Sequence, residues 1–234
     1  MGMVRVLYVG SLPAREAFQR ATDTARRAVL QPGVPLSLPF NDALDHLANH
    51  ARARSGPNAI ITLGITGPVG AGKSTLASRL AAALAGSVIS TDHYLPDYEP
   101  IPEHERDDPR HSDLPRLAID LASLRAGRAT AIPVWSFHSH KREGERVIHP
   151  SPVLIVEGIH ALHATVRGHL DVKVYVEAAA ATRWARWEYL EASGQRGWGV
   201  EKARGYFNGV AEPTFAARAA EYRGAADLIV ENEG

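Results

Sequence analysis

Residues 60–75 read IITLGITGPVGAGKST, and this stretch decides the architecture. Its first half is an apolar run, the pattern of a strand buried on both faces of a parallel sheet. Its second half sets Gly67, Gly72, Lys73 and Ser74 at the spacing G-x-x-x-x-G-K-[ST], the Walker A loop. KSTLASRLAAALAG then reads as a helix closed by Gly86. Each part has a physical task. Glycines permit backbone angles closed to other residues, so successive N–H groups turn inward on polyphosphate oxygens. The new helix adds its positive amino-terminal end. Lys73 brings a full charge, and the Ser74 hydroxyl suits a magnesium ion. Gly67, Gly70, Ala71, Gly72, Lys73, Ser74 and Thr75 are therefore the expected loop for the phosphates of a nucleotide, a loop that motors, GTPases, transporter subunits and small-molecule kinases share.

Outward from this loop the chain alternates. SVISTD (87–92), VLIVEG (153–158), DVKVYVE (171–177) and ADLIVE (226–231) read as strands, and LPRLAIDLASLRAG (114–127) as a helix. The expected fold class is α/β: a P-loop NTPase fold with a mostly parallel sheet and helices on both faces. Upstream, residues 4–9 read as a strand and 13–30 as a helix. QPGVPLSLPF (31–40) is broken by three prolines, after which Asn41 or Asp42 is expected to cap a helix to about Arg54. Residues 1–57 thus form an expected α/β accessory segment and 58–234 the nucleotide-binding domain. Whether the first 57 residues cover the sheet edge, shape a pocket or make a dimer contact stays open. Between Pro96 and Pro115 the chain is polar and proline-rich, a functional loop by its length.

Composition narrows the partners. The 234 residues carry 26 basic and 26 acidic side chains, so no net charge draws the chain to nucleic acid or an anionic membrane. Only four lysines occur, so Lys73 is not drawn from a crowd. Cysteine is absent, which removes disulfides, thiolate nucleophiles and cysteine zinc sites, and suits a reducing cytoplasm. No apolar run approaches the roughly 18 residues of a membrane span, and a cytoplasmic location is expected. The paired histidines (46/50, 138/140, 160/163) lack the adjacent glutamate of a zinc motif.

In an open parallel sheet, ligands bind beyond the carboxyl ends of the strands. Asp92 ends one strand and Glu157 another. Phosphoryl transfer needs a metal on the phosphate oxygens and a carboxylate that orients or deprotonates the attacking hydroxyl. Asp92 suits the base, and Glu157, with Ser74 and Asp92, the magnesium shell. No N-K-x-D guanine reader is present, and a small-molecule kinase is the favoured reading.

These blocks carry a likeness. From about Ile60 to Val230 the chain resembles the uridine kinase, phosphoribulokinase and pantothenate kinase group of P-loop kinases, and uridine kinases most closely. The blocks are GPVGAGKST, STDHYL, DDP (107–109), IPVWSFHSHKR, VLIVEGIHAL, TRWAR and ADLIV. The resemblance implies ATP and Mg2+ as cofactors and transfer of the ATP γ-phosphoryl group to a substrate hydroxyl, as in uridine and cytidine kinases. It implies Lys73 and Asp92 as catalytic residues, with Asp107 gripping ribose hydroxyls and His140 contacting a pyrimidine. Trp135, Phe137, Arg106 and Tyr94 fall on the acceptor pocket. Arg183 and Arg186 match arginines of a lid helix, around 182–200, that closes on ATP.

The chain also departs from the family pattern. Trp135 and Ser136 stand where uridine kinases have tyrosine and aspartate, leaving an indole N–H as donor. Arg106 stands in the place of an aromatic and suits a carboxylate or phosphate, the mark of a pantothenate- or sugar-phosphate-type kinase. Trp187 and Leu190 replace lid arginines, which keeps a non-catalytic ATP-binding regulatory module as the second reading. The expected partner is a small-molecule hydroxyl acceptor such as a nucleoside, and a homo-oligomer stays open.

Overall fold

A computed structural model describes residues 35–56 and 59–234. The strand expected at 4–9 and the helix at 13–30 lie outside the described residues.

The apolar runs become the strands of one parallel sheet. Among the described residues it has six, in the order β1-β8-β7-β2-β6-β3. These are β1 (Leu36–Pro39), β2 (Ile61–Thr66), β3 (Ser87–Ser90), β6 (Val153–Glu157), β7 (Val172–Glu177) and β8 (Leu228–Glu231). Every residue of β2 and β6 is buried, as expected for strands covered on both faces. Two apolar layers provide the cover. On one face, α1 (Phe40–Arg54) and α2 (Lys73–Leu84) pack Leu47, Ala51, Leu76 and Leu80 against Leu63, Ile65, Val153, Ile155 and Val174. On the other, α3 (Leu114–Arg125) brings Leu117, Leu121 and Leu124 onto Leu154 and Val156, joined by Phe215 and Tyr222 of α7 (Glu212–Ala225). Each fully buried Leu contributes on the order of 1.5–3 kcal/mol.

The chain departs from the sequence reading in four places. Residues 36–39, read as a proline-broken connection, are strand β1, paired with β8 from Leu36↔Leu228 to Pro39↔Glu231. Among the described residues β1 has a paired strand on one side only, a position that tolerates Pro39. The helix α1 begins at Phe40, with no side-chain cap from Asn41 or Asp42, because β1 runs straight into it. Asp42 instead lies in the first turn, where its charge suits the dipole. At the far end of α2 the left-handed residue is Ala85 (φ 49°) rather than Gly86. Gly86 serves a close pass, since a Cβ there would lie 2.9 Å from the Val153 carbonyl oxygen. Finally, β4 (Thr130–Ser136) and β5 (Lys141–Ile148) form a separate antiparallel hairpin, with a bulge between Val134 and Trp135.

Between β6 and β7 lies the short α4 (Ala164–Arg167); beyond β7, α5 (Ala180–Ala192) and α6 (Val200–Tyr206) close over the strand ends, and a π turn (Phe207–Ala211) leads into α7. They carry a core of their own: Trp184, Trp187, Tyr206, Phe207 and Val210, with Val69 of the glycine loop packed against it.

Candidate active site

Sheet register builds the site. Glu157 sits level with Ile65 of β2 and Ser90 of β3, so three strands end together. Their next residues are the glycine loop, Gly158 and the turn at Thr91–Tyr94. A cavity of about 820 Å³ opens there.

The loop at one end is shaped by glycine. Gly72 has φ 99° and Gly70 φ 75°, both left-handed. A Cβ at Gly70 would collide with the Arg183 carbonyl oxygen, so α5 lies directly on the loop. Gly67 and Ala71 do not line the cavity: Gly67 passes under Val176, and the Ala71 carbonyl accepts from Asn232 Nδ2 at 2.7 Å. Gly70, Gly72, Lys73, Ser74 and Thr75 do line it. Lys73 is buried, with its Nζ donating to the Pro68 carbonyl at 2.9 Å. Burial pulls its pKa below the ordinary value, opposed by the charges of Glu157 and Asp92.

Ser74 Oγ donates to Glu157 Oε2 at 3.0 Å. With Asp92 they give three hard oxygen donors at the cavity wall. Among the described residues no three His, Asp or Glu side chains form a cage able to hold a metal alone. This donor set fits magnesium, which takes one or two carboxylates and draws the rest of its shell from phosphate and water. The pKa of Asp92 is pushed up to about 7, first by burial and then by the Glu157 charge, against the pull of Lys73 and Arg196. A carboxyl poised near neutrality is suited to proton transfer.

At the other end Asp107 is 7% exposed, and its Oδ1 accepts from Tyr206 Oη (2.9 Å) and Tyr98 Oη (3.4 Å). Burial raises its pKa, while these hydrogen bonds favour the charged form. The hairpin turn delivers the aromatic wall. His140 takes φ 54°, a left-handed conformation that histidine enters more readily than most residues. Its ring stacks on Tyr98 (5.7 Å) and Trp198 (5.1 Å), and Trp135 meets it edge-on. Burial lowers its pKa, with Lys202 adding to the effect. Phe137 packs edge-on against Trp135 at 5.1 Å.

Four assigned residues behave differently from expectation. Tyr94 is fully buried away from the cavity, its hydroxyl donating to Asp120 Oδ2 at 2.9 Å. Arg106 lies on the outer face of Tyr98 (5.2 Å) and donates to the Ile101 carbonyl, outside the cavity lining. Trp135 lines the cavity, but its indole N–H is committed to the Pro96 carbonyl at 3.0 Å, so it offers surface and no donor. Arg183 is bound through both terminal nitrogens to the Glu212 carboxylate, with further bonds to the Ala178 and Val69 carbonyls. It joins α5 to α7 and does not line the cavity. Arg186 does, held by the Gly70 and Asn232 carbonyls at 3.1 and 3.0 Å.

Two lining residues are additions. Arg196 extends over Phe137 (4.5 Å) and Trp187 (5.3 Å) and acts electrostatically on Lys73, Asp92 and Asp107. Glu191 is buried and accepts from Trp187 Nε1 and the backbone N–H groups of Trp198 and Gly199, all within 3.1 Å. It fixes the turn that hangs Arg196 and Trp198 over the cavity. The signal for both was their place in the expected lid; the rings under Arg196 and the backbone N–H groups that Glu191 accepts from are brought to them by the fold, which sequence does not display.

Known proteins share this arrangement of elements. The chain is 30% identical over 182 residues to the uridine kinase of Staphylococcus haemolyticus, a match covering 74% of this chain and 87% of that one. It is 34% identical over 126 residues to uridine-cytidine kinase C of Dictyostelium discoideum, covering 53% of this chain but 28% of that one. The chain thus spans less than a third of that longer relative. A solved structure described as a possible uridine kinase from Bacillus stearothermophilus superposes with a TM-score of 0.54 at 19% identity, over 82% of this chain and 98% of that one. This last likeness is one of fold. The phosphoribulokinase / uridine kinase family description matches residues 62–232, and the chain belongs to that family.

Proposed function

We propose that this protein is a small-molecule kinase that transfers the ATP γ-phosphoryl group to a hydroxyl of a nucleoside, uridine or cytidine in type. One observation carries the reading: a single cavity is lined at one end by Lys73, Ser74 and Glu157, at the other by Asp107 and His140, with Asp92 between them. When bound, MgATP supplies the transferable phosphoryl group and a metal charge to offset its oxygens. The Gly70–Thr75 backbone and Lys73 hold the phosphates, and Ser74 with Glu157 would hold the metal. Asp107 Oδ1 is occupied by two tyrosines, which leaves its other oxygen for acceptor hydroxyls. His140 offers a ring edge, since both its faces are stacked. Asp92 receives the proton of the attacking hydroxyl. Arg186 and Arg196 supply positive charge where the phosphoryl group moves, and the aromatic roof limits water, which would otherwise divert the reaction to hydrolysis.

The position of Arg106 outside the cavity favours a nucleoside over a carboxylate- or phosphate-bearing acceptor. The test is ADP release from MgATP with uridine, cytidine, pantothenate, ribulose 5-phosphate or no acceptor, for wild type and Lys73→Ala. A pyrimidine nucleoside should raise the Lys73-dependent rate. ATP binding without any acceptor-dependent turnover would favour a nucleotide-binding module instead.

A further inference from the structure

Behind the acceptor end of the cavity one buried histidine ties three elements together. His160 lies three residues beyond Glu157 and is 1% exposed. Its Nε2 is 2.8 Å from the Asp107 carbonyl oxygen, and its Nδ1 is 3.2 Å from the Tyr222 hydroxyl on α7. These partners fix the tautomer. A carbonyl only accepts, so Nε2 carries the hydrogen; in the neutral ring Nδ1 then accepts, and Tyr222 donates. Burial keeps the ring neutral, pulling its pKa down to about 4. With both nitrogens satisfied in the interior, turning the ring would orphan four buried polar groups: Nε2, Nδ1, the Asp107 carbonyl and the Tyr222 hydroxyl.

Asp107 needs such an anchor. Its segment is held mainly by short-range turns of its own: Ile101 to Tyr98, Glu105 to Pro102, Asp108 to Glu105 and His111 to Asp108. Backbone bonds to the rest of the protein come near its ends, from Tyr98 to the His140 carbonyl and from Asp113 to the Tyr94 carbonyl. His160 holds the middle, at the very residue whose carboxylate faces the cavity. The two tyrosines aim that carboxylate; His160 sets where its backbone stands.

We infer that His160, backed by Tyr222, is a positioning residue for the phosphate acceptor, holding Asp107 where its carboxylate meets the acceptor hydroxyls. The inference rests on the proposed acceptor-binding role of Asp107. A displacement of about 1 Å in such a site costs on the order of a hundredfold.

His160→Asn removes the donor at Nε2, whereas His160→Gln returns an amide N–H near that position. Steady-state kinetics and amide hydrogen exchange on both variants decide the matter. In His160→Asn the acceptor KM should rise tenfold or more while kcat and the ATP KM stay within twofold, and His160→Gln should restore the acceptor KM to within threefold. Exchange over residues 103–113 should quicken in His160→Asn and not in His160→Gln, with β2 and β6 unchanged. An unchanged acceptor KM in His160→Asn, or acceptor and ATP KM rising together, overturns the assignment. If wild type shows no acceptor-dependent turnover, the kinase reading fails on its own. Exchange then decides the anchor: faster exchange confined to 103–113 upholds it, and unchanged exchange overturns it.

Discussion

Asp92 gathers the chemistry of the site into one side chain. Replacing it with Asn should lower acceptor-dependent turnover by about 10²–10⁴-fold, the usual worth of a positioned base. ATP binding, measured by calorimetry, should persist. Acceptor-dependent turnover should fall as pH drops through about 7, where the carboxyl gains its proton. The same shift bears on stability. The folded carboxyl holds its proton up to about 7 against an ordinary 3.8, so between those values the folded state binds more protons than the unfolded one. Stability from this group is therefore present at low pH and lost as pH rises through that window. In magnesium-free buffer the melting temperature of Asp92→Asn should gain on wild type from pH 5 to pH 8, and a constant gap would refute the shift. At this scale the sequence was informative where chemistry is carried by residue type: Lys73, Ser74, Asp92, Glu157, Asp107 and His140 all line the cavity. It was silent where backbone carbonyls decide. Nothing in the letters shows that Pro96 takes the Trp135 indole N–H, or that Ile101 and Tyr98 turn Arg106 away.

Among the elements, α5 and the turn after it behave as a braced unit. Removing Arg183 leaves the Glu212 carboxylate without its partner. Breaking a fully buried pair from one side costs about 3–5 kcal/mol; here Arg183 is buried but the Glu212 side chain is 28% exposed, so the Arg183→Ala denaturation midpoint should fall by less than that cost implies. Arg183→Ala with Glu212→Ala should recover part of the loss. A midpoint that holds while kcat collapses would return Arg183 to the chemistry. Glu191→Ala strips the acceptor from three N–H groups, and bonds to a charged acceptor contribute about 1.5–3 kcal/mol each. Trypsin should then cut after Arg196 much faster than in wild type. The hairpin was the element least legible beforehand. In β5, KREGERVI, all residues but Ile148 are exposed, so no apolar alternation announces a strand. Buried strands announce themselves; exposed ones do so only through their partners.

For the whole molecule, the two apolar layers set stability and leave the cavity alone. Leu121→Ala should cost about 2–5 kcal/mol by chemical denaturation, with acceptor and ATP KM unchanged. The parallel sheet was readable because strands covered on both faces appear as unbroken apolar runs. Its outer boundary was not, because Pro39 disguises β1.

That outer strand has a consequence for anyone who trims the protein to the stretch its relatives share. The shared region starts at residue 62, yet β1 and α1 at 36–54 lie before it. Without them the flank of β8 stands bare, a row of unanswered N–H and C=O groups beside the uncovered sides of Leu63, Val174 and Val230. Such a flank is a template for pairing with another chain. A chain cut to begin at residue 60 should therefore aggregate on expression far more than one that keeps residues 35–59: the stretch matched by the family starts inside the sheet, past a strand and a helix that cover it.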